Sequence, residues 1–237
     1  MIGTLINAAA IIAGGLIGLL IGKRMNKSVG DTVMGGLGLC VLYIGISGAL
    51  AGKNVLVLIV SIALGGLIGH LADLDGRLKR LGDRLQERVK KNGTGSDVSA
   101  AFVTASLLYC VGAMAILGPV ESGAGDNTVL YTKSLLDGIS AIIFASQLGF
   151  GVLFSAIPVL IYQGAITLLS GAIAPHLSEL VIAETSCAGY VLIIGIGLNM
   201  LGVTKLKLMN HVPGIFIAAG LAAAVERIPA VYSFLYK

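Results

Sequence analysis

Long apolar runs separated by short polar breaks organise this chain from one end to the other. They extend from Ile2 to Gly22, Thr32 to Ala51, Val55 to Ala72, Ser99 to Gly118, Ser134 to Gly149, Val152 to Ala174, Val181 to Leu201 and Val212 to Val225. A hydrocarbon core about 30 Å thick takes roughly 20 apolar residues of helix. A helix also satisfies its backbone polar groups internally, which lipid demands. The pattern predicts an all-α polytopic membrane helix bundle of about eight spans, forming a single integral membrane domain over residues 1–237. The fifth run is short and the eighth marginal, so about seven spans is the alternative.

The polar breaks carry the orientation, because Lys and Arg collect on the cytoplasmic side. Lys23, Arg24 and Lys27 follow the first run, and Arg77, Lys79, Arg80, Arg84, Arg88, Lys90 and Lys91 crowd the break after the third. Both breaks are expected inside, with Glu121 and Asp126 outside and Lys205 and Lys207 inside again. That alternation requires two spans within 133–174, joined at Gly149-Phe150-Gly151. A single crossing there would put Lys205 and Lys207 outside, so the eight-span reading is preferred, with both chain termini outside. No basic residue precedes the first run, which reads as a retained span rather than a cleaved signal peptide. In the long inner break, Leu71, Leu74, Leu78, Leu81, Leu85 and Val89 recur at three- and four-residue steps. This predicts an amphipathic cytoplasmic helix over 73–92 that caps the bundle, lies on the membrane surface or docks a partner.

Internal similarity matters in such a chain because many transporters are built from repeats. Asn7-Ala-Ala-Ala-Ile-Ile-Ala-Gly-Gly15 resembles Gln163-Gly-Ala-Ile-Thr-Leu-Leu-Ser-Gly171, and Leu42-Tyr-Ile-Gly-Ile46 resembles Leu192-Ile-Ile-Gly-Ile196. Asp31 and Glu184 precede the second span of each half. Spans 1–3 would then match spans 6–8 as an inverted repeat of three-helix units, 1–74 against 152–228, with linker spans over 99–150. Chance similarity between Gly- and Ile-rich helices is the alternative, since Gly14-Gly-Leu-Ile-Gly18 and Gly65-Gly-Leu-Ile-Gly69 are identical without fitting that scheme.

Composition narrows the function classes. The chain is 56% hydrophobic and 12% charged, against about 25% charged in a soluble domain, and its mean hydropathy is +0.95. Its 34 Gly and absent Trp suit helices that pack through small residues. Gly14 with Gly18 and Gly65 with Gly69 are the candidate packing steps, serving either a homodimer or contacts within one bundle. The net charge of +4 does not point to nucleic acid, because the basic residues sit beside apolar runs without an aromatic-interleaved stripe. Cys40, Cys110 and Cys187 fall in separate runs, and His70, His176 and His211 have no ligand spacing, so neither metal nor cofactor is expected. No Gly-x-Ser-x-Gly elbow occurs, and Gly36-Leu-Gly38 lies inside a span, so catalysis is not expected either.

The informative residues are polar groups at lipid-like depth. A carboxylate there costs several kcal/mol unless it is paired, wetted or protonated. Asp137 is placed one turn inside the fifth span with Lys133 four residues earlier on the same face, either an interfacial pair or a functional one. Glu184 opens the seventh span, where a helix-start carboxylate is the structural alternative. Asn7, Gln163 and Asn199 interrupt other runs. Interhelical hydrogen bonds of about 1 kcal/mol explain such amides by default. Pro158 and Gly164 near Gln163, and Gly195 and Gly197 near Asn199, suggest bent helices whose exposed ends bind ions or small solutes.

Several segments are also familiar together. Ile2-Gly-Thr-Leu-Ile-Asn7 with Gly14-Gly15, Ala105-Ser-Leu-Leu-Tyr-Cys-Val-Gly112 through Ile116-Leu-Gly118, Lys133-Ser-Leu-Leu-Asp-Gly138, Phe144-Ala-Ser146, Ser155-Ala-Ile-Pro158 and Tyr162-Gln-Gly164 resemble the YdfK/YqgA-like family. The resemblance implies an integral protein of the bacterial cytoplasmic (inner) membrane, described in general terms as a transport protein. It supplies no activity and no functional residues. The expectation is a channel or transporter for a small solute or cation, proton- or cation-coupled, with Asn7, Lys133, Asp137, Gln163, Glu184 and Asn199 along the path. A homo-oligomer, a dimer foremost, is its expected state. The alternative is a non-transporting scaffold or sensor that binds a cytoplasmic partner through 71–91.

Overall fold

The computed structural model describes residues 1–22, 27–77, 79–80, 98–111, 113–228 and 232. The apolar runs fold as helices: α1 (Ile2–Gly22), α2 (Lys27–Ala49), α3 (Val55–Leu71), α4 (Val98–Cys110), α5 (Ala113–Gly123), α6 (Thr128–Leu148), α7 (Gly151–Phe154), α8 (Ala156–Leu168), α9 (Ser170–Ile173), α10 (Glu179–Met200) and α11 (Pro213–Glu226). No strand occurs among the described residues. Among the described residues, six stretches are long and apolar enough to cross a membrane, or seven when the bent α4–α5 pair counts as one span. α3 is apolar too, with 17 residues.

Local chemistry sets the helix ends. The Asn54 side chain accepts from the Leu56 and Val57 amides at 2.8 and 3.3 Å, and Ser178 accepts from Val181 at 3.1 Å, so both satisfy orphan donors at a helix start. Before α6, the Asp126 carboxylate accepts from the Thr128 amide at 2.8 Å. That bond, with the Thr128 side chain, holds its carboxyl below the usual range. Gly149, with φ of 82°, follows α6 and lets the chain turn back into α7, a conformation that disfavours any side chain.

Two expectations about the spans change. The fifth is not short: α6 begins at Thr128 and has 21 residues, so Asp137 lies more than two turns inside rather than one. The polar stretch before Ser134 looked like loop, yet its Thr132 hydroxyl bonds the Thr128 carbonyl at 3.1 Å and its Lys133 pairs with Asp137, which hides that polarity within the helix. The helix carrying Asn199 runs on without a break past Gly195 and Gly197, whereas the run carrying Gln163 is interrupted at Ser155, three residues before Pro158, and again at Leu169. The sharp bend lies elsewhere, 60° between Val98–Cys110 and Met114–Gly123. The expected amphipathic helix over 73–92 falls mainly outside the described residues, although 74–77 are helical.

The chain divides into two compact units. The first comprises Met1–Gly36, Gly76–Cys110 and Met114–Gly171, and the second Leu37–Asp75, Val111–Ala113 and Ala172–Lys237. In the first, α1 packs along α6 in parallel: Gly3 meets Leu130, Gly14 meets the Gly138 carbonyl, Gly18 that of Ile142, and Gly22 that of Ser146. A methyl at any of these glycines would collide with α6, so the four-residue spacing permits the close approach. α8 runs antiparallel to α1, with Thr167 beside Thr4 and Gln163 beside Asn7. In the second unit, α10 lies antiparallel to α2, with Gly197 on Leu42, Gly45 on Ile194 and Gly48 on Tyr190. There α3 and α11 also run antiparallel, Gly65 against Gly214 of α11 and Gly69 against Asn210 in the 3-10 turn before it. Both glycine steps singled out in the sequence thus carry contacts inside one chain.

Candidate functional site

Four of the six polar residues chosen from the sequence meet in the first unit. Lys133 and Asp137 stand one turn apart on α6, and the ammonium donates to both carboxylate oxygens at 2.9 and 2.7 Å. Asn7 comes from α1, and its amide nitrogen donates to Asp137 Oδ2 at 3.0 Å and to Gln163 Oε1 at 3.1 Å. Gln163 comes from α8, so three helices contribute. Relative exposure is 0% for Asn7 and Gln163 and 6% for Lys133 and Asp137. An asparagine is short, and it bridges the two partners because the glycine face of α1 brings the α6 backbone close.

Depth follows from helix geometry. Asn7 is five residues from the start of α1, Lys133 five from the start of α6, and Gln163 five from the end of α8. Given the packing directions, all three lie roughly 8 Å below the same end of the unit, and Asp137 roughly 14 Å. Toward that end, Thr4 and Thr167 face each other, with hydroxyls 3.3 Å apart and both residues buried. Beyond them, Asn127 Oδ1 accepts from the Gly3 amide at 3.2 Å and the Ser122 hydroxyl at 2.7 Å. Polar groups therefore file down from the helix ends to the ion pair. Sequence reasoning missed Thr4 and Thr167, although Thr4 is three residues before Asn7 and Thr167 four after Gln163, each on the same helix face.

Two atoms in this cluster make no hydrogen bond among the described residues: Asn7 Oδ1 and Gln163 Nε2. Buried polar groups normally find partners.

Glu184 and Asn199 belong to the second unit. Glu184 is 1% exposed, and its Oε1 accepts the Lys53 amide at 2.9 Å, tying α10 to the turn between α2 and α3. Asn199 closes the turn after α10: its amide donates to the Leu206 carbonyl at 2.9 Å, and its Oδ1 accepts from the Thr204 hydroxyl and Leu206 amide at 2.7 and 2.9 Å. Both its polar atoms are thus engaged locally. No group of three or more His, Cys, Asp or Glu that could hold a metal occurs among the described residues.

This buried polar network in an apolar helical chain can be set beside known proteins. The family model described as "Protein of unknown function (DUF554)" matches residues 2–223. The chain belongs to this family. "Uncharacterized membrane protein YdfK" of Bacillus subtilis (strain 168) is 34% identical over 222 residues, covering 92% of this chain and 93% of the relative. "Uncharacterized protein YqgA" of Escherichia coli (strain K12) is 29% identical over 228 residues, 94% and 97% of the two chains. No solved structure matches the chain. Like its DUF554 relative YdfK, the chain is a membrane protein, with several helices apolar and long enough to span a bilayer.

Proposed function

We propose that this DUF554 protein is a channel or transporter for a small solute or cation, and that the Asn7–Lys133–Asp137–Gln163 cluster is where the solute passes. The observation that carries the reading is a buried ion pair hydrogen-bonded to the Asn7 amide and through it to Gln163 on a third helix. Stability alone does not account for it, because replacing a buried ion pair with well-packed apolar groups is often neutral or stabilising by about 1–4 kcal/mol. Ionisable groups inside membrane segments more often mark solute and proton pathways.

On this reading the protein sits in the bacterial cytoplasmic membrane with both termini outside, following the distribution of Lys and Arg. A homodimer would form through a face other than the two glycine steps, which already hold helices together within the chain. No catalytic role is assigned.

Reconstitution into vesicles tests the proposal with a panel of potassium, sodium, protons, acetamide and glycerol. At least one probe should cross faster than in protein-free vesicles, and Asp137→Asn should slow it by about tenfold, the worth of one charge-assisted buried hydrogen bond. Flux that is unchanged in Asp137→Asn would remove the cluster from the path. A wild-type protein that passes no probe would overturn the proposal as a whole.

A further inference from the structure

The chemistry of the solute follows from how the four side chains orient one another. Lys133 holds both oxygens of Asp137, which fixes that carboxylate as an ionised acceptor. An ionised acceptor can receive only the nitrogen side of the Asn7 amide, so Asn7 cannot be flipped. The second hydrogen of that nitrogen goes to Gln163, which must therefore turn its oxygen toward Asn7. What remains is determined: Asn7 offers a carbonyl oxygen and Gln163 an NH2 group, both buried and both without a hydrogen-bond partner among the described residues. One orphan accepts and the other donates, and the ion pair makes the net charge of the cluster zero.

We infer that the pair formed by Asn7 Oδ1 and Gln163 Nε2 binds a small uncharged molecule that carries a hydrogen-bond donor beside an acceptor, such as an amide, an alcohol or an undissociated carboxylic acid. This deepens the transport reading and rests on it. A metal cation would meet the Asn7 oxygen but also the positive NH2 of Gln163, and the carboxylate that should neutralise it is already held by Lys133. An anion would meet the NH2 but also the Asn7 carbonyl, and the ammonium that should neutralise it is held by Asp137. A neutral donor–acceptor molecule satisfies both orphans and brings no unpaired charge into a region where such a charge costs several kcal/mol. Thr4 and Thr167, each able to donate or accept, stand between this pair and the end of the helices.

The experiment compares neutral and ionic probes on the intact wild-type protein in vesicles. Acetamide and glycerol entry is followed by light scattering on an osmotic step, and potassium, sodium and chloride movement by a potential-sensitive dye. Acetamide and glycerol should enter several-fold faster than in protein-free vesicles, with no ionic conductance. Gln163→Leu, which removes the orphan donor, should slow acetamide by about tenfold while the purified variant melts and elutes as the wild type does. Gln163→Met is the second variant: it keeps the length, has no N–H or O–H donor, and should slow acetamide likewise. Ions that cross while the neutral probes do not would overturn the inference and leave the transport reading standing. Acetamide entry unaffected in a folded Gln163→Leu or Gln163→Met would also overturn it. A protein that passes neither class overturns both.

Discussion

At the scale of single residues, the cluster depends on charge balance more than on any one contact. Lys133→Met leaves the Asp137 carboxylate buried with only Asn7 beside it. Removing one partner of a buried pair typically costs about 3–5 kcal/mol. Heat or denaturant unfolding of the purified variant should show a loss of that order, and the double change Lys133→Met with Asp137→Leu should recover most of it. If Lys133→Met alone unfolds like the wild type, the pair is wetter than its burial indicates. Asn7, Lys133, Asp137 and Gln163 were legible in the sequence because amides and charges are rare in apolar runs. Thr4 and Thr167 were not, because a threonine in an apolar helix ordinarily bonds its own backbone, and only the packing of α8 on α1 turns these two toward each other. Asn199 looked equivalent to the other amides, yet the turn after α10 engages both ends of its side chain.

At the scale of helices, glycine spacing decides how near α1 and α6 can come. Gly14→Leu or Gly18→Leu would drive a side chain into the α6 backbone, with an expected loss of about 3 kcal/mol measured by unfolding. Gly35→Ala and Gly220→Ala meet nothing within 4 Å, so they should change stability by no more than about 1 kcal/mol, in the stabilising direction. Equal effects from the two pairs would contradict the close packing of α1 on α6. Most apolar runs matched their helices well, because a helix in lipid needs little beyond length and hydropathy. α6 was read too short for a physical reason: Lys133 and Thr132 look like loop residues until their partners a turn away are known. Gly195 and Gly197 near Asn199 were weighed as breakers, yet α10 runs through both, while the interruption expected near Gln163 falls at Ser155, just before Pro158, whose ring removes a helix donor.

At the scale of the whole molecule, the parallel packing of α1 and α6 constrains how many crossings lie between them. Parallel α1 and α6 need an odd number of crossings between them, which α2, α3 and the bent α4–α5 pair would supply. With the N-terminus outside, as proposed, the polar file from Asn127 through Thr4 and Thr167 to Gln163 opens to the outer side, and the account's central claim is that water and solute reach the cluster by that route. Thiol accessibility tests it most directly, with Cys40, Cys110 and Cys187 each replaced by Ala and Gln163→Cys introduced. A charged, membrane-impermeant thiol reagent applied from outside should modify Gln163→Cys, whereas Ile161→Cys, at a position 67% exposed on the apolar face of α8, should stay unreactive in lipid. If Gln163→Cys proves as inert as Ile161→Cys, the four residues are a dry structural knot and the passage through them does not exist.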